Sequence, residues 1–295
     1  MKTAKTKDMT TGKIVPMLIA FALPIMGGNL FQQLYTVVDT MIVGRFLGVS
    51  ALAAVGSGGW MTWLLLGAIM GMNEGFANPA AQAFGAGDKE RVRKTMANSF
   101  VLSAIISVVL MVTGQLVMIP MMKLLNIPAE IFDMALIYLR IYYFGAPVMM
   151  AYNFAACHLR ALGNSKDPVV AVVIASIANI ILDILFVAVF KMGVLGAALA
   201  TIIALAISSV LVTRALTQLT ELCDFSIKEI RIDWDTLKTQ IYIGFPGGIQ
   251  SSMYSLSNMI LQVAVNKIGT DAAAAWTALG KMDAIYWMVG GSLGT

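Results

Sequence analysis

Residues 14–44 read IVPMLIAFALPIMGGNLFQQLYTVVDTMIVG, thirty-one residues containing a single carboxylate, Asp39. A helix rising 1.5 Å per residue over that length is more than enough to cross a hydrocarbon core of ~30 Å. The rest of the chain follows suit: of 295 residues 59% are hydrophobic and 12% charged, with a mean hydropathy of +0.81. Soluble domains carry about 25% charged residues. The chain therefore reads as an integral membrane protein. Further apolar runs lie at 52–84, 96–120, 130–157, 168–190, 194–213 and 239–265, and an eighth begins near Ala272. They are continuous, without the alternation of a barrel strand, so the fold class is an all-α polytopic transmembrane bundle.

The first run is too long for the apolar region of a signal peptide, and it carries Gln32, Gln33 and Asp39, so it is read as the first span. Two cysteines, Cys157 and Cys223, make no disulfide framework. With the N-terminus inside, fourteen Lys and Arg residues fall on inner segments and four (Arg45, Lys123, Lys191, Lys267) on outer turns. That bias places the N-terminus in the cytoplasm and explains the net charge of +4 without a nucleic-acid partner.

The longest inner connection, 214–238, separates an N-lobe of six helices (1–213) from the start of a C-lobe (239–295). Within and beyond it Ile227, Ile230, Trp234, Leu237 and Ile241 recur at steps of three and four, either as a helix on the membrane surface or as the first turns of the seventh span. LPIMGGNLFQQLYTVVDTMI from Leu23 is weakly similar to FPGGIQSSMYSLSNMI from Phe245, pairing Pro24 with Pro246 and Asp39 with Asn258. Such a repeat is the plan of many secondary transporters.

Position along a helix gives depth. With Gly44 taken as the outer turn, Asp39 lies roughly 8 Å in. Asp183, eight residues before Lys191, and Thr201, eight past Gly193, each lie roughly 12 Å in. Asn179 sits one turn below Asp183 on the same face, Tyr35 one turn below Asp39, and Tyr138 at a similar level in the fourth span. Two carboxylates in lipid cannot both stay charged without a cation or a shared proton, and each costs ~2.5–3.5 kcal/mol or more there. With amide and hydroxyl oxygens they form an all-oxygen cradle for a hard cation (Na+) or for H+. The alternative is that these groups only bond helix to helix, which suits Thr201 and Asn179 better than the aspartates. Pro24, with Gly27 and Gly28, marks a bend in the first helix, either static or a hinge.

LFQQLYTVVDTMIVGRFLG, FGAGD at 84–88, LRALGNSKDP at 159–168 and ANIILDILFVAVFKMGVLGAALAT at 178–201 together resemble the multidrug and toxic compound extrusion (MATE) transporters, most of all their prokaryotic DinF-like branch. The resemblance implies a drug/cation antiporter, not an enzyme, of twelve helices in two lobes, working by alternating access in a prokaryotic cell membrane. It implies a cation or proton site at Asp39, Asn179, Asp183 and Thr201, with the hinge proline at Pro24. Tyr35, Gln32, Tyr138 and Asn153 are expected to line the adjoining substrate cavity. Its partners are then amphipathic, often cationic small molecules and the lipid bilayer, the chain acting as a monomer with no cofactor beyond the coupling ion. A related alternative is a lipid-linked saccharide flippase, disfavoured because Arg140 stands nearly alone as a cavity cation. Twelve helices need more chain than 295 residues, so this sequence is expected to be a fragment, inactive by itself.

Other polar residues carry lesser expectations. Arg140 is expected to pair with Asp133, and Asp283 to contribute to a C-lobe site or cavity. Glu74 should face a wet inner vestibule and His158 the inner interface, while Met26, Met149 and Met150 could soften a promiscuous cavity. FGAGDKERVRK lacks the phosphate-loop spacing; Gly87 and Asp88 should stop one helix and cap the next.

Overall fold

The structure, a computed structural model, describes residues 13–219, 232–268 and 279. The expected eighth helix with Lys281 and Asp283, the connection holding Cys223, Ile227 and Ile230, and the first twelve residues lie outside the described residues.

Nearly all the described chain is helical, since in lipid each backbone N–H and C=O must be bonded within its own segment. α1 runs Ile14–Leu47, α2 Val49–Ser57, α3 Gly59–Gly85, α4 Lys89–Leu124, α5 Ala129–Phe144, α6 Ala146–Ala161 and α7 Lys166–Asp183. A π-helical turn, Ile184–Val189, extends α7, followed by α8 (Gly193–Thr217) and α9 (Trp234–Ile268). Among the described residues five spans are long and apolar enough to cross a membrane, α2 and α3 together making one of them, and the α5–α6 pair, bent by 45°, passes the same test when taken as one span. The bend falls at Gly145-Ala146-Pro147, where the proline lacks an amide hydrogen and the glycine lets Ile202 of α8 close in. The seventh run forms α9, 35 residues long, but its Gln, Ser and Asn content keeps it below the apolar spans in hydropathy.

Two details differ from the sequence reading, and one alternative it left open is decided. α1 does not turn at Gly44; it continues to Leu47 and stops at Gly48, whose φ of +85° breaks the helix. The described part of the 227–241 periodicity belongs to α9, whose first residue is Trp234, so there it forms the first turns of a long helix. Asp133 and Arg140 are both exposed and make no ion pair. The turn at 86–88 is as expected: Gly87 takes a φ of +74° and Asp88 Oδ1 accepts the Arg91 amide hydrogen at 3.0 Å.

α1 packs chiefly on α7, α7 on α8, and α8 on α6, while α3 packs on α4, α6 and, most extensively, α9. One core cluster gathers around Val43, Ala54, Met61, Leu139, Met149 and Met150. A second, at the other end, gathers around Met96, Phe154, Leu159, Leu162 and Val212. Met149 and Met150 are thus 2% and 1% exposed core residues, with the Met150 sulfur accepting from the Asn73 amide at 3.0 Å, and they do not line an open cavity. α1 and α9 share a form: 34 and 35 residues, each passing unbroken through one internal proline, Pro24 and Pro246.

Candidate functional site

α1 meets α7 closely because Gly28 presents no side chain; a Cβ there would touch both Val169 methyls at 3.2 Å. This brings Asp39, on the upper part of α1, against Asp183, the last α-helical residue of α7. Their carboxyl groups lie within interaction reach of each other. Asp183 is fully buried and Asn179, one turn before it, is 2% exposed. Asp39 Oδ1, both Asp183 oxygens and both side-chain polar atoms of Asn179 are buried without a hydrogen-bond partner. Buried polar groups are nearly always paired, so five orphaned atoms at one place make this the candidate site.

The α1 end at Leu47 puts eight residues between Asp39 and the helix terminus. Asp39 is therefore roughly 12 Å deep by helical rise, the level already read for Asp183 and Thr201. Thr201 is half-buried on α8 and donates to its own Ala197 carbonyl at 3.1 Å, which leaves its oxygen lone pairs available. Tyr35 and Tyr138 both lie in electrostatic range of Asp39 and Asp183, and Gln32 lies three residues before Tyr35 on α1. Asn153, 7% exposed, is turned into α6, where its amide donates to the Met149 carbonyl at 2.9 Å. α1 passes through Pro24 without a break, and beside it Gly27 faces open space.

Sequence reasoning missed Tyr142. Its ring stacks on Tyr138 with centroids 6.1 Å apart and planes at 21°, and it lies in range of Tyr35. The signal was its i+4 spacing from Tyr138 on α5. His158 was misread as an interfacial residue: it is fully buried, with Nδ1 2.8 Å from the Phe154 carbonyl and Nε2 3.2 Å from Ser99 Oγ.

The donor set suits a small, hard, singly charged species. Among the described residues no group of three or more His, Cys, Asp or Glu converges, which leaves two carboxylates with neutral amide and hydroxyl oxygens. Two negative charges match one monovalent cation and a proton, or protons alone, better than a divalent ion demanding six to eight oxygens. An open pocket of about 360 Å³ among the described residues lies elsewhere, where the end of α3 meets the starts of α4 and α9 among Pro79, Asp88, Arg91, Asp233 and Thr236.

Comparison with known proteins gives the family of the chain. The probable multidrug resistance protein YpnP of Bacillus subtilis (strain 168) is 28% identical over 291 residues, covering 99% of this chain and 65% of that protein. DNA damage-inducible protein F of Escherichia coli (strain K12) is 26% identical over 183 residues, covering 62% of this chain and 40% of its own length. A MOP superfamily transporter from Pyrococcus furiosus Vc1 shares the fold at a TM-score of 0.91 and 24% identity, over 99% of this chain and 65% of that one. The chain thus spans about 65% of the length of YpnP and of that transporter. The MatE family model matches residues 24–185, more than half of the sequence. The chain belongs to the MatE family of transporters.

Proposed function

We propose that the protein containing this chain exports amphipathic organic compounds across a prokaryotic cell membrane in exchange for Na+ or H+, by alternating access. The observation that carries this reading is the buried Asp39–Asp183 pair with its orphaned oxygens and the unpartnered Asn179 amide. A membrane carboxylate is costly, so two kept together must be neutralised for part of the working cycle. A cation or proton entering between them removes the repulsion and lets α1 settle on α7. When it leaves, the like charges favour separation of the same two helices. Coupling then follows from differential affinity: the ion binds one packing of α1 better than the other, and Pro24 gives α1 a place to bend. Asp39, Asn179, Asp183 and Thr201 hold the ion, while Tyr35, Gln32 and Tyr138 border the substrate path beside it. Asn153 belongs to the same path only if α6 rotates during the cycle.

Support for the cytoplasmic placement of the N-terminus comes from the cation bias between the two ends of the bundle. The flippase alternative gains nothing: Arg140, the cation it would rely on, is exposed, and its backbone carbonyl is what accepts a bond from Gln115, at 2.8 Å.

The test is dye efflux from membrane vesicles carrying the full-length protein, under an imposed Na+ gradient and separately a proton gradient. One of the two gradients should drive efflux, and Asp39→Asn should abolish it while the protein stays folded. Undiminished gradient-driven efflux by that variant would overturn the assignment.

A further inference from the structure

At the end of the bundle opposite the carboxylate pair, α9 is joined to α3 and α4 through contacts that the proposed ion site does not use. Three kinds of contact lie along one seam. At its rim the fully buried Asn98 of α4 pairs with the backbone of Asp233, donating to its carbonyl at 2.8 Å and accepting its amide hydrogen at 3.2 Å. Deeper in, Gln240 of α9 is fully buried and its Nε2 lies 3.0 Å from the Phe76 carbonyl, 2.9 Å from the Thr95 carbonyl and 2.6 Å from Ser99 Oγ. Beyond that, α3 and α9 touch backbone to backbone: a Cβ on Gly71 would fall 2.4 Å from the Gly247 carbonyl oxygen, and one on Gly75 would fall 2.3 Å from the Gly244 Cα.

The polar node extends to a third helix. His158 Nδ1 faces the Phe154 carbonyl, an acceptor only, so Nδ1 carries the ring proton, and Nε2 lies as an acceptor 3.2 Å from Ser99 Oγ, whose single proton it shares with the Thr95 carbonyl at 2.8 Å. One amide of α9 is thereby joined to α3 and α4 directly and to α6 through Ser99. His158 is the single histidine of the sequence.

We propose that Gln240, with Ser99 and His158, forms the latch that holds the transporter closed at its cytoplasmic end, and that opening to that side requires Gln240 to withdraw. This rests on the alternating-access reading above. The glycine seam supplies close van der Waals contact, which is tolerant of sliding. The amide is not tolerant: its donors find the Phe76 and Thr95 carbonyls only with α9 in place. The node is also satisfied on one side when open. Ser99 Oγ lies 2.8 Å from the Thr95 carbonyl, and the two carbonyls sit within helices, so the N-lobe loses little when the amide leaves. The closed state, for its part, is not fully satisfied, because Gln240 Oε1 is buried without a partner. Water in an opened cleft would supply that missing donor, so closed and open states are balanced closely enough to exchange.

The experiment uses inside-out membrane vesicles carrying the full-length protein with Cys157 and Cys223 replaced by alanine. A reporter, Thr95→Cys, lies buried beneath Gln240, and a control, Ser176→Cys, lies buried on α7. Reaction with a membrane-impermeant maleimide is followed with no ion gradient imposed. Adding Gln240→Leu should speed labelling at position 95 about tenfold, the scale of one or two lost neutral hydrogen bonds. Ser99→Ala, which spares the two carbonyl contacts, should speed it by a smaller factor; it also keeps the test decisive should Gln240→Leu fail to fold. Labelling at position 176 should stay slow throughout. An unchanged rate at position 95 in the folded variants overturns the latch, and so does an equal rise at both positions, which is general loosening. Because no gradient is used, failure of the proposed coupling would show as lost efflux with the labelling difference intact.

Discussion

Asp39 of α1 and Asp183 of α7 turn their carboxyl groups toward one another within a bundle of apolar helices, and three of their four oxygens are buried without a hydrogen-bond donor. Each unpaired buried polar group costs about 1–3 kcal/mol, so the arrangement is a destabilising one as it stands. Asp183→Asn would turn two like groups into an amide that donates to the Asp39 carboxyl. Thermal unfolding in detergent should show the variant more stable by about 1–3 kcal/mol, while gradient-driven efflux is lost. A less stable variant would mean that the carboxylates are already compensated.

Thr201 tests the neutral part of the donor set. Thr201→Ser keeps a hydroxyl and should keep transport. Thr201→Val removes the oxygen and should weaken the apparent Na+ or H+ affinity by about tenfold, the equivalent of about 1.4 kcal/mol for one lost ligand. Initial efflux rates against ion concentration read this directly. Equal behaviour of the two variants would remove Thr201 from the site.

The glycines of α1 and α3 should respond oppositely to the same substitution. Gly71→Ala would place its Cβ 2.4 Å from a backbone oxygen of α9, and backbone cannot step aside. A loss of roughly 1–3 kcal/mol should appear in thermal melts. Gly27→Ala meets nothing within 4 Å and replaces the more flexible residue inside a helix, so stability should rise by up to about 1 kcal/mol. Matching shifts for the two would mean that α3 and α9 are not in backbone contact.

The start of α9 carries a pH dependence of known sign. Asp233 accepts the Thr236 amide hydrogen at 3.1 Å and the Thr236 hydroxyl at 2.5 Å, and these bonds hold its carboxyl below the usual carboxylate range. A folded value below the unfolded one stabilises the cap fully above about pH 4 and loses that support as pH falls through the lower folded value. Amide hydrogen exchange over residues 234–237 should therefore be unchanged from pH 8 to pH 5, after correction for intrinsic rates, and accelerate only in stronger acid. Asp233→Ala should show the fast exchange at every pH.

How much could be read beforehand depended on whether a feature was local. The spans followed from apolar run length because lipid leaves a chain no other way to bond its backbone. The Asp88 cap followed from an Asp behind a Gly in front of a basic helix start. A fixed helical rise also converts residue number into depth, which puts Asp183 and Thr201 roughly 12 Å in and Asp39 roughly 8 Å in; the α1 end at Leu47 brings Asp39 to their level. The stop of α1 was placed three residues early, since a glycine inside a lipid-embedded helix is tolerated and only Gly48, with its positive φ, breaks the chain. Arg140 and Asp133 shared a helix face by number and still do not meet.

The amino-acid sequence by itself determined an all-α membrane bundle, the boundaries of its described segments to within about seven residues, and which side chains were too polar for where they lay, because all three follow from the chain's own periodicity and the solvent it must satisfy. Which of those side chains face one another was decided by helix packing. Gly28 lets α1 approach α7, so Asp39 finds Asp183; Gly71 and Gly75 let α9 approach α3, so Gln240 finds carbonyls about 145 and 164 residues away along the chain. His158 passed from an expected interfacial residue to the buried end of that network because Ser99 and the Phe154 carbonyl enclose it. Such contacts depend on which helix faces meet and at what distance, and no periodicity within one helix encodes that.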